Sequence, residues 1–167
     1  MLFRSEILDC NNFEEENKDK KLMQFLSKES DYLKILAINN LEKVPLTYIS
    51  AMLTEDEEIV RLAALKSLAK HKEKNVLSLI FRSCYDISDI IRGESAKILG
   101  NLGFKESVDV LWKLLEDQSD FVRKESCEAI EKLTKKSFGY SHSASKLERD
   151  EKKRLWQDWW QSNKKKR

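Results

Sequence analysis

The sequence predicts an all-α fold: a solenoid of about four helix pairs, closed by a C-terminal tryptophan-rich capping helix. Three observations carry this reading. One phrase recurs, as EEIVRLAALKSLAK (57–70), SDIIRGESAKILGN (88–101) and SDFVRKESCEAIEK (119–132), and its arginines Arg61, Arg92 and Arg123 stand 31 residues apart both times. A fixed period of that size is the mark of stacked helical repeats. Six residues before each arginine stands a carboxylate: Glu55, Asp86 and Asp117. Finally, four glycines and one proline in 167 residues leave little turn punctuation of the β kind.

In register, the copies align Ile59, Ile90 and Phe121, then Val60, Ile91 and Val122, then Leu68, Leu99 and Ile130. Large apolar residues at helical spacing are expected to bury one face, and the small Ala64, Ser95 and Ser126 between them let a neighbouring helix approach closely. Glu58, Asp89 and Asp120 fall in the first turn, where the helix dipole favours negative charge. Ser88 and Ser119 read as N-caps, and Thr54 with Glu57 as a capping box.

Residues 1–17 mix a short apolar start (Leu2, Phe3, Ile7, Leu8) with the acids Glu14-Glu15-Glu16, and are expected to be partly ordered. The repeats occupy 18–134, as 18–43, 45–71, 73–102 and 105–134. In the first, Leu22, Phe25 and Leu26 mark a short helix and DYLKILAINNLEK (31–43) its partner. There Lys34 replaces the arginine, 27 residues before Arg61, as in a degenerate capping repeat that leaves the acid–base pairing open. Pro45 opens the outer helix PLTYISAMLT (45–54), and EKNVLSLIFRSCY (73–85) and KESVDVLWKLLE (105–116) are the outer helices that follow. In them Leu77 aligns with Val108, and Ile80 with Leu111. Gly100 and Gly103 mark the end of the third inner helix.

After Thr134 the period stops. Residues 135–146 read as a serine-rich loop, and Ser145 with Glu148 as the capping box of a last helix, 147–163. The apolar face of that helix is Leu155, Trp156, Trp159 and Trp160, and a basic tail, 164–167, ends the chain. The tryptophans can cover the exposed end of repeat four, with Trp112 contributing, or stack on a base or sugar. Solenoid ends require covering, which favours the plug.

The Asp-x-x-x-x-(Val/Ile)-Arg opening of the inner helices, Asp86 to Arg92 and Asp117 to Arg123, resembles the HEAT-like repeat. The C-terminal part, Leu133-Thr134, Phe138-Gly139-Tyr140 and Trp156 with Trp159-Trp160, resembles bacterial HEAT-like repeat proteins, and the repeats themselves are similar to those of the phycobilisome bilin lyases. The resemblance covers residues 18–163. It implies a right-handed solenoid in which Glu55, Arg61, Asp86, Arg92, Asp117 and Arg123 form a ladder between adjacent repeats. Arginine suits that task because its planar fork can hold a carboxylate and a carbonyl together. The resemblance implies a binding scaffold and no chemistry.

The sequence contains no Gly-rich phosphate loop, no HExxH and no Gly-x-Ser-x-Gly. Two histidines, His71 at an inner-helix end and His142 in the loop, are too scattered for a metal site. Cys10, Cys84 and Cys127 contain no CxxC, and Cys84 and Cys127 read as reduced, buried thiols. We therefore expect no catalysis, cofactor or metal. With no signal peptide and no apolar run approaching ~20 residues, a cytoplasmic protein is expected.

The leading expectation is a protein–protein interaction scaffold whose concave surface is built from the inner helices. On that surface we place Leu62, Lys66 and Lys70, then Lys97 and Asn101, then Lys124, Glu128 and Lys132, with Gly93 in the same register. Five of the nine are lysines, which would draw a partner with an acidic surface. A nucleic-acid-binding module is the alternative. Residues 135–167 carry 11 basic and four acidic residues, while the rest of the chain carries 20 basic and 25 acidic. A bilin-lyase-like accessory protein is the third reading.

Overall fold

The computed structural model describes residues 20, 22–26, 30–41, 44–71 and 73–164. The expectations for residues 1–17 and for most of the tail lie outside the described residues. The chain divides into two compact units between Val76 and Leu77. Each is built from packed helices, the building units of an α-solenoid, and no strand occurs among the described residues.

In the unit of residues 1–76, α1 spans Asp31–Asn40, α2 Leu46–Met52 and α3 Glu58–Leu68. Helix α3 packs against both α1 and α2. It can do so because Val60, Ala64 and Leu68, spaced four apart, form a fully buried stripe. Leu33, Ala37, Ile38 and Leu41 complete this core, with Leu22, Phe25 and Leu26 buried from the chain before α1. Pro45 stands one residue earlier than expected, at the N-cap of α2, where its carbonyl accepts from Tyr48 and Ile49 N–H. The Thr54–Glu57 capping box is not formed. Because α3 starts at Glu58, Glu57 takes the N-cap position, and the Thr54 hydroxyl instead donates to the Ala51 carbonyl behind it.

In the unit of residues 77–167, α4 spans Leu77–Ser83, α5 Asp89–Leu102, α6 Val108–Leu114, α7 Asp120–Thr134 and α8 Lys146–Lys164. Short 3₁₀ turns at Lys74–Val76 and Lys105–Ser107 precede α4 and α6. The outer helices are thus shorter than expected, their first turns wound more tightly. The main packing is α5 against α7, with α4 backing α5 and α6 backing α7. Ile91, Ser95 and Leu99 on α5 and Val122, Ser126 and Ile130 on α7 are fully buried in matching register. The two serines donate back to Ile91 and Val122 carbonyls at 2.8 and 2.7 Å, so neither buried hydroxyl is left unpaired. Gly100 lies inside α5, where a Cβ would come within 2.8 Å of the Ala129 Cα: the close approach of α5 and α7 needs glycine there. Gly103 closes the helix in the left-handed conformation at φ 81°.

One expectation about the core fails. Ile59, Ile90 and Phe121 were expected to bury one face with their neighbours, and instead they are 61%, 44% and 38% exposed. They point away from the Val60, Ile91 and Val122 stripe, because consecutive helical residues are turned about 100° from one another.

Helix α8 closes this unit. Ser145 and Glu148 form the reciprocal capping box: Ser145 N–H donates to the Glu148 carboxylate at 3.0 Å and Glu148 N–H to Ser145 Oγ at 3.3 Å. The Ser145 hydroxyl, donating to the Glu148 carboxylate at 2.7 Å, and then the Ser145 N–H hold that carboxyl below the usual carboxylate range. Trp156 is fully buried, edge-on to Trp112 at 6.0 Å and tilted against Phe138 at 6.0 Å. Trp160 is buried, Trp159 half-buried against Phe138 at 6.0 Å, and Leu155 exposed, so the apolar face is narrower than expected. Tyr140 fastens the loop by donating its hydroxyl to the Leu115 carbonyl at 2.7 Å, and burial pushes that phenol up to about 12. Lys153 pairs with Glu116 and stands 5.7 Å over the Trp112 ring.

Candidate functional site

Two sets of polar residues occupy the inner helices, and they do different work. The first set is buried. Arg92 on α5 donates from Nε and NH2 to both carboxylate oxygens of Asp117, at 2.7 and 2.9 Å, and from NH1 to the Asp86 and Ile87 carbonyls at 2.9 and 3.1 Å. One guanidinium thus holds the acid ahead of the next inner helix and the loop leading into its own. Burial pushes the Asp117 carboxyl up, but the Arg92 guanidinium and the Ser119 N–H more than offset it and hold it below the usual range. The Asp86 carboxylate accepts the Ser88 N–H at 2.9 Å, capping its own turn.

Arg61 makes the same loop contacts, donating to the Glu55 and Asp56 carbonyls at 2.9 and 2.6 Å. Arg123 does so to Asp117 and Gln118 at 2.8 and 2.9 Å. Beyond Arg123 no further repeat supplies an acid. Its Nε instead donates to the His142 carbonyl at 2.9 Å, and its NH2 pairs with Asp120 at 2.7 Å. His142, for which the sequence offered no partner, also places Nδ1 2.9 Å from Asp120. In the first repeat the pairing left open by Lys34 is present. Its Nζ donates to Glu55 at 2.6 Å, and that bond raises the lysine above its ordinary value.

Capping roles differ between the two serines. Ser88 Oγ accepts the Ile91 N–H at 3.4 Å, whereas Ser119 sits at the N-cap of α7 but sends its hydroxyl to Asp89 at 2.8 Å, joining the starts of α5 and α7.

The second set lies on the solvent side. Lys66, Lys70, Lys97, Asn101, Lys124, Glu128 and Lys132 are exposed, Leu62 is half-buried, and Gly93 is buried because the Phe121 ring lies where its side chain would be. Most of the lysines already have neighbours. Lys70 donates to the Leu41 carbonyl at 3.2 Å, Lys97 pairs with Glu94 at 3.5 Å and Lys124 with Glu128 at 3.8 Å. Lys132 reaches from α7 to Asn101 on α5 at 2.7 Å.

Sequence reasoning missed that this face continues to the helix N-termini. The intervals 59–62–66–70, 90–93–97–101 and 121–124–128–132 are each three, four and four residues. That spacing puts Ile59, Ile90 and Phe121 in line with the lysines rather than with the core. The signal was present in the numbers.

Cys84 and Cys127 are buried and their thiols pushed up to about 12, chiefly by burial, so neither is a thiolate nucleophile at neutral pH. His71 is buried, 3.8 Å from Glu73. Among the described residues no group of three His, Cys, Asp or Glu side chains could hold a metal ion, and no helix is long and apolar enough to cross a membrane.

No curated protein matches the chain. The HEAT repeats family does, over residues 47–131, from the first turn of α2 to the last turn of α7 and so across more than half of the chain. The repeating helix pairs, the arginine that ties loop to loop and this match agree: the chain belongs to the HEAT-repeat family.

Proposed function

We propose that the chain is a non-catalytic scaffold that binds protein on the exposed faces of its inner helices, α3 in one unit and α5 and α7 in the other. One observation carries this reading. Each inner helix spends its buried side on packing and on the arginine contacts, and on another side presents exposed residues in the same register each time. HEAT repeats commonly serve as protein-interaction scaffolds, and repeated, uniformly spaced side chains suit an extended partner.

Charge reversal at Lys66, Lys97 and Lys132 together tests it. All three are exposed, so the fold is expected to survive. Recovery of the partner from native cytosol should fall at least several-fold relative to the unaltered chain, and undiminished recovery would remove the lysines from the site. A second reading, nucleic-acid binding, draws on the basic α8, where Lys146, Arg149, Lys153 and Arg154 line a cleft of about 510 Å³ with Glu116 and Asp150. Loss of the bound material on nuclease treatment would favour it, with a steep fall in binding as salt rises.

A further inference from the structure

The N-terminal ends of α5 and α7 form an apolar edge. Ile87, 92% exposed, leads into Ile90 at 44%, and the Phe121 ring, at 38%, lies over Gly93 one turn beyond Ile90. Residues three apart are neighbours on a helix face, so Ile90 lies beside Gly93, which the Phe121 ring covers. Tyr85, also largely exposed, stands two residues before Ile87. Isolated surface hydrophobics are ordinary, but a contiguous group kept out of the core calls for an occupant. In the other unit the same register holds Ile59, 61% exposed, directly after Glu55-Asp56-Glu57-Glu58.

The charge at this edge is negative. Asp86, Asp89, Asp117 and Asp120 stand at the starts of α5 and α7, against Arg92 and Arg123, with His142 at Asp120. Both arginines are buried in their loop contacts and present little charge outward. The nearest lysines on the face, Lys97 and Lys124, are paired with Glu94 and Glu128. Asp117 is itself largely buried against Arg92, so the exposed acids of the rim are Asp89, which accepts the Ser119 hydroxyl, and Asp120, which pairs with Arg123.

From this we infer that the edge docks a partner segment carrying large apolar residues flanked by lysine or arginine. The apolar residues of that segment cover Ile87, Ile90 and Phe121 while its cations meet the aspartate rim. The inference rests on the reading that the inner-helix face binds protein, and it adds to the partner an apolar, basic segment at the aspartate edge, beside the acidic part that the lysines further along the helices would hold.

The test uses the full chain, isotopically labelled, titrated by NMR with a synthetic amphipathic leucine–lysine peptide. Two control peptides carry glutamate for every lysine, or serine for every leucine. Amide shifts are expected at 87–93 and 120–124 with the leucine–lysine peptide and with neither control. The double variant Ile87→Ser, Ile90→Ser should weaken its binding about ten-fold. Both residues are exposed, so its thermal unfolding should match that of the unaltered chain. Binding of equal strength to the double variant, or shifts clustered elsewhere, overturns the inference. Should the leucine–glutamate peptide bind instead, at Lys97 and Lys132, the inner-face reading stands and the basic partner does not. If no peptide perturbs the face, both fail.

Discussion

The contacts of Arg92 and of Lys34 carry out one task with different chemistry. Both join the inner helix of one repeat to the acid ahead of the next, over sequence separations of 25 and 21 residues. Arg92 makes four hydrogen bonds, two to Asp117 and two to the Asp86 and Ile87 carbonyls, and both partners' side chains are 10% exposed. Lys34 donates to Glu55 at 2.6 Å and lies 3.6 Å from Asp31, with the Glu55 side chain 36% exposed. A planar fork satisfies two loops at once, whereas an ammonium is a point charge that can be placed wherever an acid reaches it. The longer Glu55 side chain supplies that reach. So the arginine organises backbone as well as charge, and the lysine supplies charge alone.

The largest break in this comparison is Arg92→Ala. It leaves the Asp117 carboxylate largely buried without its cation and two loop carbonyls without their donor. Urea unfolding should show a loss of about 2–4 kcal/mol. Arg92→Lys separates fork from charge. It should recover less than half of that loss, because one ammonium cannot serve Asp117 and both carbonyls. A lysine as good as the arginine would mean that the carbonyl contacts contribute nothing.

Asp117→Asn sharpens the same contact through pH, at a cost of about 2 kcal/mol at neutral pH. The Asp117 carboxyl is held below its ordinary value in the folded chain. Such a group adds stability that is complete above the unfolded carboxylate value of about 4 and is lost as pH falls through the folded value. The unaltered chain should therefore lose this contribution below pH ~4, and the asparagine variant should show a shallower acid limb. Equal acid limbs in the two chains would remove Asp117 as a source of the pH dependence.

Why some of this was legible in the sequence, and some not, follows from what the repeat records. The period locates α3, α5 and α7 because arginine, acid and buried stripe recur together at 31 residues. It does not say which recurring residues are buried. Ile59, Ile90 and Phe121 align as well as Val60, Ile91 and Val122, yet only the second set is in the core. Alignment marks a shared position, and the helical turn decides its side. Thr54 and Glu57 matched a capping pattern by composition but stand three residues too early for a helix beginning at Glu58. The partners of Arg123 in the C-terminal loop were unreadable because a loop has no period, so nothing in the sequence brings the His142 carbonyl to Arg123. The capping box at Ser145 was legible because both of its partners lie three residues apart.

The smallest effects come from Lys34, and they test whether its contact is a weak copy of the Arg92 contact or a different kind. Lys34→Ala removes a bond to a partly exposed acid, so after solvent screening the expected loss is about 0.5–1 kcal/mol. Lys34→Arg keeps the charge and adds the fork. Lys34 is buried on α1, and its head meets a long glutamate rather than the short aspartate of the Arg92 contact. A longer, planar head then has less room to approach Glu55 in line. The expected result is a change of no more than about 0.5 kcal/mol in either direction. A clear gain would show that the first repeat lacks only the arginine, and that Lys34 is a degenerate copy of the later residues. No gain would show that lysine with glutamate is a complete solution at this end, where reach matters more than geometry.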